Sequence, residues 1–172
     1  DERDFSKVET RLCCRGLCVS SRYVLSLSHF TFRLDSDCSG GGSYAMEAVA
    51  RQFATNKSCL VIRNGMFSYR WTQIFEMGHI PKEHTVLKAR QSCCDSFEPF
   101  HPPPLDEVLA EIRSKRPDII FAPHVETSSG IILPLDYIQQ FSRAVHEYGG
   151  LVVLDCIASG CIWVDMREAG VD

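Results

Sequence analysis

Leu151-Val152-Val153-Leu154-Asp155, set directly behind Gly149-Gly150, is the stretch from which the fold is read. Four apolar residues in a row, entered through a glycine turn, spell a strand buried on both faces. Such strands belong to parallel sheets covered by helices. Ligands of open α/β sheets sit beyond the carboxyl ends of the strands, which is where Asp155 falls. A carboxylate at that place is costly to take out of water without a cation or strong hydrogen bonds. A turn or helix-capping aspartate is the plainer role, and the neighbouring stretches have to decide.

Just upstream, Pro134 to Tyr148 carries Ile138, Phe141, Ala144-Val145 and Tyr148 at helical spacing, with proline at its start and Gly149 after its end. Before it, Asp118 to Ala122 (DIIFA) is a second buried strand. The two strands and the helix make a βαβ unit, which brings the loop after the first strand beside Asp155. That loop, Pro123-His124-Val125-Glu126-Thr127-Ser128-Ser129-Gly130, is rich in small polar groups, as a binding loop needs to be. His124 in it suits a catalytic base or a satisfied structural histidine, and no paired nucleophile favours the former.

Further back, Ser58 to Arg63 (SCLVIR) is another buried strand, followed by Asn64-Gly65 and a helix over Met66 to Met77. Phe67, at the start of that helix, lies at the crevice end, although a buried core aromatic is the commoner role by pattern. Ser39-Gly40-Gly41-Gly42-Ser43 opens an earlier helix carrying Tyr44, Met46-Glu47, Val49-Ala50 and Phe53, with Ser43 or a preceding glycine as its cap. A glycine-rich turn entering a helix aims backbone N–H groups at an anion; it also serves as an ordinary flexible loop. Thr85 to Arg90 predicts a short strand, 91–104 a Pro-rich connection and Leu105 to Lys115 an amphipathic helix behind Pro104. Ile162-Trp163-Val164 predicts a further short strand, and Asp165 to Gly170 a turn or short helix.

The expected architecture is α/β in three layers: a mostly parallel sheet with helices on both faces, over 39–172. The segment 1–38 is poorly specified; within it Tyr23 to Leu34 alternates with a slip near His29, which predicts a bulged or edge strand. The net charge of −4, without any basic stripe, argues against nucleic acid or anionic membrane as a partner. No apolar run reaches the ~20 residues of a membrane span. Nine cysteines, an odd number, lack zinc-ligand spacing and suit a reducing intracellular compartment, its identity left open, with no metal site.

Three ligand classes fit a sheet of this kind. A nucleotide hydrolase needs a lysine and a hydroxyl after its glycine-rich turn, and neither follows here. A dinucleotide-binding oxidoreductase domain fits Gly40-x-Gly42-x-x-Ala45, but its next strand should end on an acid and this one ends on Arg63-Asn64. Arg63 as a partner for a 2′-phosphate keeps that class open. A pyridoxal-phosphate fold needs a phosphate cradle, an aromatic on one ring face, an apolar residue on the other and a carboxylate for the pyridine nitrogen. Gly41-Gly42-Ser43, Phe67, Ile157 and Asp155 supply these in order.

Taken together, SGGGSYAMEA (39–48), RNGMFSYRW (63–71), HVETSSGIILPLD (124–136), LVVLDCIASG (151–160) and REAGVD (167–172) resemble the class V aminotransferase family of fold-type I pyridoxal-phosphate enzymes, nearest its alanine–glyoxylate and serine–pyruvate branch. The resemblance implies pyridoxal 5′-phosphate as cofactor, an amino acid and a 2-oxo acid as substrates, and a homodimer in the full-length form. It places Gly42 and Ser43 in the phosphate loop, Phe67 on the ring and Thr127 as the small hydroxyl that contacts the cofactor. Asp155 falls at the pyridine nitrogen and Ile157 under the ring. In the family a Schiff-base lysine lies downstream of this aspartate; only 17 residues follow Asp155 here and none is lysine. The resemblance therefore implies a partial large domain with no catalytic residue of its own. It is then a piece of a transaminase active only at greater length, or a non-catalytic, degenerate domain.

Overall fold

The computed structural model describes residues 41–92, 98–160 and 162–172. The expected strand over 23–34, Gly40 and the paired cysteines 93 and 94 lie outside that description. The described elements run α1 (Gly42–Val49, continued by a π-helical turn Ala50–Ala54), β1 (Ser58–Arg63), α2 (Met66–Gly78), β2 (Glu83–Lys88), β3 (Arg90–Gln91) and β4 (Phe100–His101). Then follow α3 (Leu105–Lys115), β5 (Ile119–Pro123), β6 (Val125–Glu126), β7 (Ile131–Ile132), α4 (Leu135–His146), β8 (Leu151–Asp155) and α5 (Met166–Ala169).

The main sheet has the order β2-β1-β5-β8 and every pairing in it is parallel. Its strands alternate between two cores, as the two-residue period of a strand requires. Cys59, Val61, Ile119 and Phe121 join Met46, Val49, Trp71 and Phe75 of α1 and α2 on one face. Leu60, Ile62, Ile120, Ala122, Val152 and Leu154 meet Val108, Ile112, Ile138, Phe141 and Val145 of α3 and α4 on the other. This is the expected three-layer α/β architecture. At the centre of the first core the Trp71 and Phe121 rings stand 4.6 Å apart, and Phe75 meets Phe121 edge-on at 5.1 Å.

Because all four strands are parallel, Lys88, Arg63, Pro123 and Asp155 end together at one edge. Leu151 and Val153 pack toward the α1/α2 core, so alternation puts the Asp155 side chain on that same face. Helix α1 packs on this same face through Met46, Val49, Ala50 and Ala54. Its π-helical end at Ala54 lies at the opposite edge, where Lys57 N–H donates to Ala54 O and Asn56 N–H to Ile80 O. Residues 42–54 rise about 20 Å, and a six-residue strand spans about the same, so the helix is long enough to carry Gly41–Ser43 to the level of the strand ends.

Of the two caps expected for α1, the preceding glycine is the one found: Gly41 holds the cap position, with no side-chain bond, and Ser43 is already inside the helix. Other local expectations need correction. The strand expected over Thr85–Arg90 begins at Glu83 and ends at Lys88, while Arg90 turns away to pair with His101 in an antiparallel ribbon. That ribbon gives part of the Pro-rich connection regular structure. Ile162–Val164 forms no strand, and Trp163 is 85% exposed. The place beside β8 is taken instead by Asp172, whose N–H donates to Val152 O at 3.1 Å and whose carboxylate accepts from Val152 N–H at 2.9 Å. The same carboxylate lies 2.7 Å from His146 Nε2. Asp165 caps α5 by accepting from Arg167 and Glu168 N–H.

Candidate functional site

Asp155 ends β8 only 8% exposed. Its Oδ1 accepts one hydrogen bond, from Ile157 N–H at 3.1 Å. No ion pair reaches it among the described residues. Burial pushes its proton affinity up; the Ile157 N–H pulls it down, and the negative charge of Glu126 adds to the rise. Such a carboxylate has a strong demand for a protonated partner. The demand arises on the face that carries α1 and α2.

Phe67 is not the core aromatic its pattern favours. It stands in the first turn of α2 and is 54% exposed, beside Met66 at 67%, so a large apolar surface stands open at the sheet edge. What fixes it is a clasp in trans. The first N–H groups of a helix have no partner within it, and here the loop after β5 supplies them. Met66 N–H donates to Ser128 Oγ at 2.8 Å, Phe67 N–H to Glu126 Oε1 at 3.1 Å and Ser68 N–H to Glu126 Oε2 at 2.9 Å. The hydroxyls of Ser68 and Ser128 donate to the same carboxylate at 2.7 and 2.6 Å. Ser68 Oγ in turn accepts from Asn64 and Gly65 N–H.

Glu126 is fully buried. Burial by itself would raise its pKa, but the bonds from Ser128, Ser68 and Phe67 outweigh that and hold it below the usual carboxylate value. The helix dipole favours a negative charge at this position as well. Gly65 is required for the close approach: a Cβ there would lie 2.2 Å from Ser128 Oγ and 2.7 Å from Glu126 Cγ. Sequence reading did not assign Glu126 a role. The available signal was a lone acid in a neutral polar loop, with no cation near it in the chain.

His124 is a satisfied structural histidine. It is 4% exposed, its Nδ1 lies 2.7 Å from Ser159 Oγ, and burial lowers its pKa. Thr127 is exposed beside the clasp and Ile157 half-buried in the turn after Asp155. Gly41 and Ser43 are exposed at the start of α1, whose cap position carries no side-chain bond, with Gly42 half-buried between them. A Cβ on Gly41 would meet nothing, so no close contact demands glycine there. Arg63, the residue that kept a dinucleotide reading open, lies over the Tyr69 ring at 4.8 Å and donates to Thr72 at 3.4 Å. Asn64, 1% exposed at the end of β1, has neither amide atom hydrogen-bonded, and Ser129 Oγ is buried without a partner. The strand ends thus gather polar groups whose partners are not supplied by the described residues.

No protein-family model matches the chain. Among characterised proteins, it is 31% identical over 137 residues to the alanine–glyoxylate aminotransferase of Rattus norvegicus, covering 78% of the chain and 30% of that protein. It is 25% identical over 135 residues to a 2-aminoethylphosphonate–pyruvate transaminase of Paraburkholderia xenovorans, covering 77% and 33%. The alanine–glyoxylate aminotransferase structure from Nostoc sp. superposes with a TM-score of 0.58 at 23% identity, over 76% of this chain and 32% of that one. The chain therefore spans about a third of the length of these relatives. Within that third it is a homologue of the alanine–glyoxylate and 2-aminoethylphosphonate–pyruvate aminotransferases, built on the fold of the class V pyridoxal-phosphate aminotransferases.

Proposed function

We propose that this sheet edge is the floor of a pyridoxal 5′-phosphate site. In the whole protein it would serve transfer of an amino group from an amino acid such as alanine or serine to a 2-oxo acid such as glyoxylate or pyruvate. The observation that carries the reading is the buried Asp155 carboxylate, with one N–H donor and no cation of its own among the described residues. The donor set fits the group: a carboxylate of raised basicity for a pyridine nitrogen, an open aromatic at Phe67 for a ring face, and the positive end of the α1 dipole, where Gly41, Gly42 and Ser43 begin the helix, for a phosphate. Thr127 and Ile157 complete the edge. When bound, the cofactor supplies an electron sink that the twenty side chains lack.

What the chain itself contributes is position and charge. Asp155 keeps a proton on the ring nitrogen by ion pairing where water is scarce. Glu126 holds Phe67 and Thr127 in one rigid unit, because its carboxylate binds the Phe67 amide and Thr127 is the next residue in the chain. The clasp and the Asp155 turn spring from adjacent strands, so the two halves of the floor share one backbone frame.

The test uses pyridoxamine 5′-phosphate, which needs no lysine to bind. Calorimetric titration of the chain should give saturable binding that pyridoxamine without the phosphate does not match. Absence of binding by the phosphorylated form overturns the reading. Amino transfer is measured in the longer protein, as 2-oxo acid formed from alanine in the presence of glyoxylate.

A further inference from the structure

Among the described residues, the turn that follows Asp155 is tied to the sheet from the end of β5, while Ile162 N–H donates to Ser159 O at 2.8 Å on its downstream side. Within it, Ile157 N–H donates to Asp155 Oδ1 and Ser159 N–H to Cys156 O at 3.1 Å. These local bonds shape the turn but do not anchor it to the sheet. The anchor comes from β5's end: His124 N–H donates to Asp155 O at 2.9 Å, and the His124 ring reaches Ser159 Oγ at 2.7 Å. Leu133 N–H donates to His124 O at 2.9 Å, which fixes the histidine backbone in its turn. Both partners of the ring contact are buried, His124 at 4% and Ser159 at 8% exposure.

We propose that His124 is a positioning residue: through Nδ1 it latches Ser159, and so holds the whole Asp155–Ser159 turn, carboxylate and Ile157 included, in the place the cofactor ring requires. The inference rests on the reading of this edge as a pyridoxal-phosphate floor, and it assigns no proton transfer to the imidazole. Two residues of sequence-distant loops thus control one carboxylate that neither touches by side chain. A buried hydrogen bond between neutral groups suits this task, since it gives direction without adding charge beside Asp155.

The bond is made by Nδ1, and that sets the test. Asparagine places a polar atom near the Nδ1 position, whereas glutamine places one near Nε2. In His124→Asn the latch should survive, and in His124→Gln or Ser159→Ala it should be lost. Amide hydrogen exchange of residues 156–159, measured on the full chain without ligand, should quicken about tenfold or more in the latter two, with β5 and β8 unchanged. Affinity for pyridoxamine 5′-phosphate should fall about tenfold in the same two variants and stay within about twofold in His124→Asn. The double variant H124Q/S159A should be no worse than Ser159→Ala alone, which already removes the His124 bond together with the hydroxyl's bond to the Cys156 side chain.

Turn exchange that does not respond overturns the latch, whatever the binding shows. Faster exchange with unchanged affinity overturns the positioning role while leaving the site reading intact. A wild-type chain that exchanges as described but takes up no pyridoxamine 5′-phosphate takes down the site reading and the positioning role together.

Discussion

Replacing Asp155 by asparagine should make the ligand-free chain more stable, and should do so only above acidic pH. The wild-type carboxylate is buried against one N–H donor, and its pKa is raised from 3.8 by burial foremost and by Glu126 besides. A carboxyl with a raised folded-state pKa contributes its full share of stability below the unfolded value. That share is lost as pH rises through the folded value. At neutral pH the folded chain therefore carries an ionised group in a place that disfavours charge. Asparagine keeps an oxygen for Ile157 N–H and has no charge to desolvate. From the usual cost of an under-satisfied buried polar group, the gain should be about 1–2 kcal/mol at pH 7, shrinking toward zero near about pH 3. For a chain of this length that corresponds to about 2–8 °C in melting temperature. Urea unfolding reads it directly, because Trp71 is buried and changes environment on unfolding. A loss of more than about 1 kcal/mol in Asp155→Asn at pH 7 would refute the reasoning, since it would mean that the charge holds the turn together.

The clasp makes the opposite prediction. Glu126→Gln leaves one pair of donors at the start of α2 facing an NH2 group, and should cost about 2–4 kcal/mol in urea unfolding. Because Glu126 titrates below its ordinary value, its contribution is present above the unfolded pKa and lost as pH falls through the folded one. Acid should then narrow the gap between wild type and E126Q. Gly65→Ala puts a methyl group 2.2 Å from Ser128 Oγ; it should cost about 1–3 kcal/mol, and unchanged stability would show that the loop yields freely. Phe67→Ala should leave stability within about 0.5 kcal/mol, because the residue is over half exposed. The same change should weaken pyridoxamine 5′-phosphate binding about tenfold through lost stacking, and an unaltered dissociation constant would remove Phe67 from the site.

Much of the sheet was legible because its strands are short apolar runs punctuated by glycine and proline. Ser58–Arg63 and Leu151–Asp155 were read with both ends in place, and Leu105–Lys115 likewise, since proline marks one end of that helix and a left-handed Arg116 closes the other. That β5 and β8 are neighbours followed from the βαβ rule. What sequence did not reveal depends on contacts between distant residues. Glu126 and Ser68 are 58 positions apart, and no periodicity announces that one caps the helix of the other. Pattern alone could not separate the two roles open to Phe67 for the same reason: a pattern that marks one apolar helix face does not say where the covering layer stops. Ile162–Val164 has the composition of a strand but pairs with no strand among the described residues, and a strand without a ladder partner does not form.

The most direct measurement is the nitrogen-15 resonance of pyridoxamine 5′-phosphate labelled at the ring nitrogen and bound to the chain. With the wild-type chain the nitrogen should remain protonated well above its pKa in water, and with Asp155→Asn it should lose that proton at neutral pH. An unprotonated nitrogen against wild-type Asp155, or one indifferent to the substitution, would contradict the account.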